Sequence, residues 1–344
     1  MAFVGELAEK YNTVSIVGMA KNSGKTTALN YLLEEAYDEG LLCAVTSTGR
    51  DGETTDLVTT TEKPKVYLFS DSIVSVPEQL YELAETGLEI LRRTQYRTAL
   101  GNVLICRVAE SGYVQIAGPG SIREHKRLCD DMRSYGCDIV FIDGAIDRKS
   151  IAAPESSDAI ILATGAVISR SLKVVVEETV HIVNLYRTPV LEDEEARSIF
   201  EKEDKGVYRI LAMDDEYRVK DPGVRTALGA GSTLDSIIDE HTRYLYIPGA
   251  FTESIVGGIN PKKLRNITLV LPDPTRIFIG ATRWQQLLKR GMKLRVMENI
   301  EVAAVTVNPY APAGYHFDHE QLRSAVADAL GDVPVFDVRA GGLE

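Results

Sequence analysis

The sequence predicts an α/β protein in which a mostly parallel sheet carries helices on both faces. Short β-branched runs alternate with helical apolar periodicity through the first half of the chain, which is typical of parallel βαβ units. The alternation resumes in the second half with different strands. We therefore expect an elaborated α/β C-terminal half, either as a sheet of its own or as a continuation of the first.

The first predicted strand, Val14–Gly18, leads into a helix over Lys25–Gly40 whose apolar residues fall on one face. Gly40 ends that helix, and the strand Leu41–Ser47 follows. A helix near Val76–Arg93 and a hairpin turn at Glu110–Gly112 are predicted next. The other elements predicted for this half are the strands Lys65–Phe69, Val103–Val108, Tyr113–Ala117, Asp138–Asp143 and Asp158–Thr164, and the helices Ile122–Tyr135 and Ser171–Tyr186.

A charged, helix-prone segment from Leu191 to Lys205 predicts a boundary. The expected organisation is a first domain over residues 1–190, a charged linker or helix over 191–205, and a second α/β region over 206–344. The elements predicted for the second region are the strands Tyr208–Met213, Tyr244–Ile247, Ile267–Leu271, Val302–Val307 and Val333–Val338, and the helices Ala281–Arg290 and Asp318–Leu330.

The amino-acid composition and the net charge indicate a globular protein and argue against several kinds of binding partner. The 344 residues are 44% hydrophobic and 26% charged, which is typical of a globular chain with a sizeable core. A net charge of −12 argues against binding to nucleic acid or to an anionic membrane. The sequence has no secretion signal and no apolar run of membrane length, so we expect a cytoplasmic protein. Its four scattered cysteines are expected to be reduced and structural.

Residues 14–27 read VSIVGMAKNSGKTT, in which a strand runs into a Gly-Lys-Thr turn and then a helix. Gly24 lets the backbone approach phosphates, and successive amides at the helix N-terminus supply partial positive charge. Lys25 would reach the terminal phosphates, and the Thr26 hydroxyl would ligate Mg²⁺. The pattern predicts a phosphate-binding P-loop for a nucleotide.

The spacing departs from the usual P-loop, because Met19 occupies the position of the first glycine and Gly18 comes one residue early. Lys21 is expected to contact a phosphate of the nucleotide bound by the same subunit, or the nucleotide of a partner subunit. The alternative is a solvated surface lysine. The residues predicted to contact the nucleotide in this segment are Gly18, Lys21, Asn22, Ser23, Gly24, Lys25, Thr26 and Thr27.

Two acidic positions complete the predicted catalytic set with Lys25. Asp143 ends an apolar strand and is expected to hold Mg²⁺ directly or through water; the alternative is a helix cap. Asp51 lies in the Gly- and Thr-rich loop after the second strand and is the leading candidate to orient the attacking water. Glu53 and Asp56 are further acids of that loop, and Arg50 is a candidate phosphate contact.

The base preference favours ATP over GTP. The Asn-Lys-x-Asp tetrapeptide that reads guanine in many GTP-binding proteins is absent. Asn308, at the end of a predicted strand, could read adenine through its amide, although Asn-Pro is also a turn signal. The expected cofactors are therefore ATP and Mg²⁺.

Gly18-x₅-Gly24-Lys25-Thr26 and Asp143-Gly144-Ala145 resemble the motifs of dethiobiotin synthetase and its relatives in the SIMIBI class of P-loop NTPases. The sequence of residues 21–27 also resembles the P-loop of the molybdopterin-guanine dinucleotide accessory protein. Dethiobiotin synthetases carry a substrate-binding lysine just after the second strand, where this chain has residues 48–51, Thr-Gly-Arg-Asp. That departure argues against the carboxylating ligase activity.

Over the whole chain, the sequence most resembles the accessory reactivase subunit encoded with lysine 5,6-aminomutase, which works beside a MutS-like ATPase. The matching segments are residues 16–26, 46–53 and 142–148. The resemblance implies that nucleotide turnover drives exchange of damaged adenosylcobalamin on the mutase, so that the partner is a protein complex.

The expected function is that of an ATP-binding, slowly hydrolysing accessory protein that couples turnover to a partner protein. One alternative is a dethiobiotin-synthetase-like ligase or kinase, in which Arg50, Arg148 and the turn Pro248–Thr252 grip a small anionic substrate. Another is a regulatory nucleotide sensor without useful turnover. The sequence leaves the oligomeric state open, with a homodimer as one alternative.

Overall fold

The computed structural model describes residues 3–48, 66–144, 157–204, 209–223 and 231–338, and the structural statements below refer to these. The chain divides into two compact units. The first comprises residues 1–180 and 301–344, and the second comprises residues 181–300.

The strands and helices are numbered in chain order. The strands are β1 (Thr13–Gly18), β2 (Cys43–Ser47), β3 (Val66–Leu68), β4 (Ile73–Pro77), β5 (Leu88–Thr98), β6 (Gly101–Val108), β7 (Gly112–Val114), β8 (Ile139–Asp143), β9 (Ala159–Gly165), β10 (Leu211–Asp214), β11 (Val219–Lys220), β12 (Thr242–Tyr246), β13 (Phe251–Thr252), β14 (Thr268–Leu271), β15 (Ile277–Phe278), β16 (Lys293–Val296), β17 (Val302–Asn308) and β18 (Val335–Phe336). The helices are α1 (Phe3–Lys10), α2 (Lys25–Asp38), α3 (Glu78–Tyr81), α4 (Ile122–Arg133), α5 (Leu172–Tyr186), α6 (Glu194–Glu203), α7 (Gly231–Ile237), α8 (Glu253–Gly257), α9 (Pro261–Asn266), α10 (Ala281–Lys289) and α11 (His319–Leu330). None of these described helices is long and apolar enough to cross a membrane.

The first unit is organised around a nine-stranded sheet with the order β18-β17-β9-β1-β8-β2-β4-β6-β5. Every neighbouring pair from β18 to β4 is parallel, whereas β6 and β5 add an antiparallel edge. The expected α/β class with a mostly parallel sheet is confirmed. Since the carboxyl ends of parallel strands lie on one edge, the loops that follow β1, β2, β8, β9 and β17 leave the sheet together.

Both faces of this sheet are covered, as the alternation along β8 demonstrates. Ile139 and Phe141 pack in one buried cluster with the apolar face of α2. Val140 and Ile142 pack in another cluster with residues of α4, among them Met132. A strand buried on both faces reads as a continuous apolar run, which is why residues 139–142 were recognisable in the sequence.

The helix predicted near Val76–Arg93 is wrong. This stretch contains the end of β4, the four-residue α3 and the first half of β5. The Glu, Leu and Arg residues of β5 have good helix propensity, but pairing with β6 and the packing of Leu88 and Ile90 against the core override it. The hairpin predicted at Glu110–Gly112 differs as well, because β7 pairs with β3 and the antiparallel edge is the β5–β6 hairpin.

The second unit has its own five-stranded sheet with the order β11-β10-β12-β14-β16. The segment predicted as a charged linker or helix contains α6, whose Ala196 and Phe200 are buried. The ring of Phe200 stacks on Tyr246 of β12 with centroids 5.0 Å apart. The helix α6 is therefore amphipathic, with a charged exposed face and an apolar face that packs in the core of this unit.

The observed division differs from the predicted one at residues 190 and 206. β17 and β18 follow the second unit in the chain but join the first sheet, with β17 parallel to β9. The strands of the separate sheet are β10, β11, β12, β14 and β16. The described strands of the C-terminal half are thus divided between the two units.

All four cysteines are buried and none forms a disulfide. Burial raises the pKa of the Cys43 and Cys129 thiols to about 12, so these side chains pack as small neutral apolar groups.

The paired strands β13 and β15 allow a matched stability test. Phe251 is fully buried in the core of the second unit, whereas Phe278 is 50% exposed. We expect Phe251→Ala to lower the free energy of unfolding by about 3–5 kcal/mol because it leaves a cavity. Phe278→Ala should change it by no more than about 0.5 kcal/mol.

The measurement is denaturant unfolding followed by the fluorescence of Trp284, the only tryptophan, which lies in the same cluster as Phe251. Equal effects of the two substitutions would contradict the core described for this unit.

Candidate functional site

The candidate site begins where β1 ends at Gly18 and α2 starts at Lys25. Gly24 precedes the helix with φ of 101°, a left-handed conformation that glycine adopts without steric cost. Gly24 provides no side-chain cap, and the first turn of α2 carries no acidic residue. No acidic side chain of the first turn offsets the partial positive charge at this helix end, which favours an anion there.

Gly18 permits the loop to fold back over the end of β1. A Cβ atom at Gly18 would lie 2.5 Å from Ser23 Oγ and 2.9 Å from Lys25 Cδ, which is closer than real side chains approach. The next residue, Met19, still donates its amide to the Ala163 carbonyl at 2.9 Å and so extends the pairing of β1 with β9. The steric demand for glycine thus falls on position 18 and not on position 19.

The Lys25 ammonium group faces the end of β8. Its Nζ donates a hydrogen bond to the carbonyl oxygen of Gly144, which directly follows Asp143. The Gly144 amide in turn donates to the Ile16 carbonyl at 3.0 Å. The predicted phosphate-binding lysine and the segment of the predicted metal-side carboxylate are therefore in contact.

Asp143 lies at the junction of three strands. Its backbone pairs in register with Ile16 of β1 and with Ser47 of β2. Its carbonyl oxygen accepts hydrogen bonds from the Thr48 amide and the Ser47 hydroxyl, both at 3.2 Å. The half-buried Asp143 thus lies on the same sheet edge as the start of α2, where Thr26 is also half-buried.

Thr26 and Asp143 suit magnesium by the chemistry of their donor atoms. Mg²⁺ prefers oxygen ligands and is commonly held by one or two protein oxygens, with phosphate and water completing its octahedron. The described residues contain no cluster of three or more His, Cys, Asp or Glu side chains that could hold a metal. A magnesium ion held by one hydroxyl and one carboxylate, with phosphate and water as its other ligands, would not need such a cluster.

Several predicted residues lie outside the described part of the chain. Asp51, the candidate for orienting water, is among them, together with Arg50, Glu53, Asp56 and Arg148. Lys21 is described and exposed, which does not distinguish the alternatives given for this residue.

Asn308 contacts the loop directly, although 286 residues separate it from Asn22 in the chain. Its Nδ2 donates to the Asn22 carbonyl at 3.1 Å, and its Oδ1 accepts the Tyr310 amide at 3.2 Å. A Cβ atom at Gly24 would lie 3.2 Å from Asn308 Cβ. The residue predicted to read adenine therefore also supports the loop, a role that no local pattern in the sequence indicates.

A small cleft separates the start of α2 from the end of β17. It is lined by Ser23, Gly24, Thr27, Thr306, Val307, Asn308 and Val338. The hydroxyls of Ser23 and Thr306 are buried and have no hydrogen-bond partner within the described residues. A buried hydroxyl without a partner costs about 1–3 kcal/mol, so these two side chains are places where polar groups are buried at a cost beside the loop.

The sequence patterns missed Thr306 and Val338 as members of the site. Both residues lie in sequence segments that predict β-strands, and a strand pattern does not indicate which end of the strand lies at a ligand site. The parallel pairing of β17 with β9 could have indicated it, because it directs the end of β17 to the loop edge.

Comparison of the chain with protein-family models, curated proteins and solved structures finds no match. Functional assignment therefore depends on the geometry of the site and on the chemistry of its side chains.

His125 of α4 packs near the end of β2, at the same edge of the first sheet. It lies beside Gly118, at which a Cβ atom would be 3.3 Å from His125 Cδ2 and would overlap the Ser47 carbonyl at the end of β2. Burial lowers the pKa of His125 to about 4, from an ordinary value of 6.5. The imidazole is therefore neutral in the folded protein near neutral pH.

This neutral histidine should make stability depend on pH. In the window between about pH 6.5 and pH 4 the unfolded chain binds a proton at His125 and the folded chain does not. Its contribution is thus present above pH 6.5 and is lost as the pH falls. We expect a change from about pH 7 to pH 5 to destabilise the protein by about 2 kcal/mol through this group.

The test compares the unfolding free energy at both pH values for the wild type, His125→Gln and, as a control, His241→Gln, whose side chain is 63% exposed. His125→Gln should remove the pH-dependent loss, and His241→Gln should keep it. A loss of the same size in His125→Gln would refute the assignment.

Proposed function

We propose that this protein binds ATP with Mg²⁺, hydrolyses it slowly and couples the turnover to a partner protein. One observation carries the proposal: the loop from Gly18 to Lys25 folds back on β1, opens α2 at Gly24 without an acidic residue in its first turn, and directs Lys25 to the end of β8. This is the arrangement that phosphate binding requires.

The phosphates would be held by the first-turn amides of α2 and by Lys25. The bond from Lys25 to the Gly144 carbonyl supports this role, because a lysine that already points to the edge of the sheet needs little reorganisation to reach a phosphate. An ammonium in contact with a phosphate also neutralises charge that develops on the transferring group.

Thr26 and Asp143 would hold Mg²⁺ between the protein and the phosphates. When bound, the ion supplies Lewis-acid stabilisation of the phosphate oxygens. The hydroxyl of Thr26 and the carboxylate of Asp143 would orient it, and Asp51 remains the proposed group for orienting the attacking water.

The base would lie beside Asn308, at the end of β17 next to the start of α2. The Asn308 amide already donates to the Asn22 carbonyl and accepts the Tyr310 amide, and its second N–H and second Oδ1 lone pair match the acceptor and the donor of an adenine edge. These features favour ATP, as the missing Asn-Lys-x-Asp motif does.

Lys25→Ala tests the phosphate site. We expect it to weaken binding of both ATP and inorganic tripolyphosphate about 10- to 100-fold, since a charge-assisted hydrogen bond is worth about 1.5–3 kcal/mol. Isothermal titration calorimetry measures both affinities. Lys10→Ala, on the exposed end of α1, is the control and should bind both probes like the wild type. Unchanged binding in Lys25→Ala would overturn the phosphate-site assignment.

Coupling to a partner is supported by the resemblance to the aminomutase reactivase subunits. We expect slow basal release of phosphate from ATP, accelerated when the adenosylcobalamin-dependent aminomutase complex is added. A continuous phosphate assay measures both rates, with Lys25→Ala as the inactive control. Stoichiometric ADP release that requires a small anionic substrate and no protein partner would contradict the proposal and favour a ligase.

A further inference from the structure

A hydrogen-bonded chain of three titratable side chains lies at the same sheet edge, beyond Asn308. The Tyr310 hydroxyl is 3.0 Å from Nε2 of His319, and Nδ1 of His319 is 2.6 Å from a carboxylate oxygen of Asp337. Because a carboxylate only accepts hydrogen bonds, Nδ1 carries a hydrogen, and in the neutral imidazole Nε2 then presents its lone pair to the Tyr310 hydroxyl.

Three different elements position this relay, the name used here for Tyr310, His319 and Asp337. Tyr310 opens a tight hairpin after β17, in which it forms an antiparallel bridge with His316. His319 is the first residue of α11, and Asp337 directly follows β18. Asp318 caps α11 by accepting the Gln321 amide at 2.9 Å, which fixes the start of the helix at His319.

Exposure rises steadily along the relay. The Asp337 side chain is 3% exposed, the His319 side chain is 34% exposed, and Tyr310 is 41% exposed. The acid is buried behind the imidazole, and the tyrosine is the most exposed member of the relay. A nucleophile in contact with a base, and a base oriented by a third group, are the signature of an activated nucleophile.

We propose that the Tyr310 hydroxyl is an activated nucleophile that accepts an acyl group from an ester-type donor. In the step, the Tyr310 oxygen forms a bond to the acyl carbon, and the bond from that carbon to its leaving oxygen breaks. The phenolic proton passes to Nε2 of His319, and the Asp337 carboxylate stabilises the imidazolium. The leaving group departs with the electron pair of the broken bond, so that atoms and charge balance.

The surrounding charges favour an acyl donor over a phosphoryl donor. Asp318 and Glu320 flank His319 in the chain, and Asp337 lies behind it. Two described cations lie on this side: Arg323 pairs with Glu320 at 2.7 Å, and Arg170 lies 5.0 Å over the ring of Tyr315 in the same hairpin, so that the three acids still outnumber them. A polyanionic donor would approach against this acidic excess, whereas a neutral ester would not.

The probe is p-nitrophenyl acetate, with acetylated tyrosines quantified by peptide mass spectrometry on the full-length protein. Tyr113 is the internal control, because it is 46% exposed and no histidine bonds its hydroxyl in the described part of the chain. We expect Tyr310 to be acetylated of the order of 100-fold faster than Tyr113. His319→Gln should reduce the acetylation rate of Tyr310 to about that of Tyr113 and leave the acetylation rate of Tyr113 unchanged.

Asp337→Asn should have the same effect on Tyr310, because an amide at this position allows the wrong imidazole tautomer. Thermal unfolding of each variant identifies any loss that is due to misfolding, and His319→Gln carries the test if Asp337→Asn is unstable. Equal acetylation of Tyr310 and Tyr113 would overturn the proposal. So would acetylation of His319 in place of Tyr310, or an unchanged Tyr310 rate in a folded His319→Gln protein.

Discussion

The candidate site depends on one steric constraint, the close return of the loop over the end of β1 at Gly18. A side chain at this position would overlap Ser23 and the stem of Lys25. At the other end of the loop, α2 begins after Gly24 in a left-handed conformation, with no acidic residue in its first turn. Lys25 reaches across to the Gly144 carbonyl, with its stem packed against Gly18. The direction of the lysine and the start of α2 are therefore coupled through this loop.

The loop is held on both sides by segments that are distant in the chain. Gly144, after β8, accepts from Lys25, and Asn308, at the end of β17, donates to the Asn22 carbonyl. Parallel pairing across the order β17-β9-β1-β8 produces this arrangement, because it brings the carboxyl ends of all these strands to one edge. Beyond Asn308, that edge also carries the Tyr310 hydroxyl, supported from behind by the buried Asp337. The Asn308 amide and the Tyr310 hydroxyl, two chemically different groups, therefore both follow from the end of β17.

Sequence patterns succeeded where one local interaction decides the structure. β8 was recognisable because burial on both faces makes it apolar throughout, and α2 because its apolar residues repeat on one face. The stretch near Val76–Arg93 failed because its residues favour a helix locally, whereas pairing of β5 with β6 decides the outcome. Thr306 and Val338 were missed as cleft residues, and Asn308 was recognised without its support of the loop. Each of these contacts depends on strand order, which local periodicity does not encode.

The sequence by itself determined the strand, the turn and the helix of residues 13–38, with glycine at 18 and 24 where the backbone comes closest to its neighbours. These features follow from steric and capping rules that act over a few residues. Only the tertiary structure decided that the chain returns after residue 300 to complete the first sheet, and that it thereby brings Asn308 to the loop and aligns Tyr310, His319 and Asp337. Contacts of this kind depend on which buried strands pair, and their stability comes from burying whole surfaces of the chain at once.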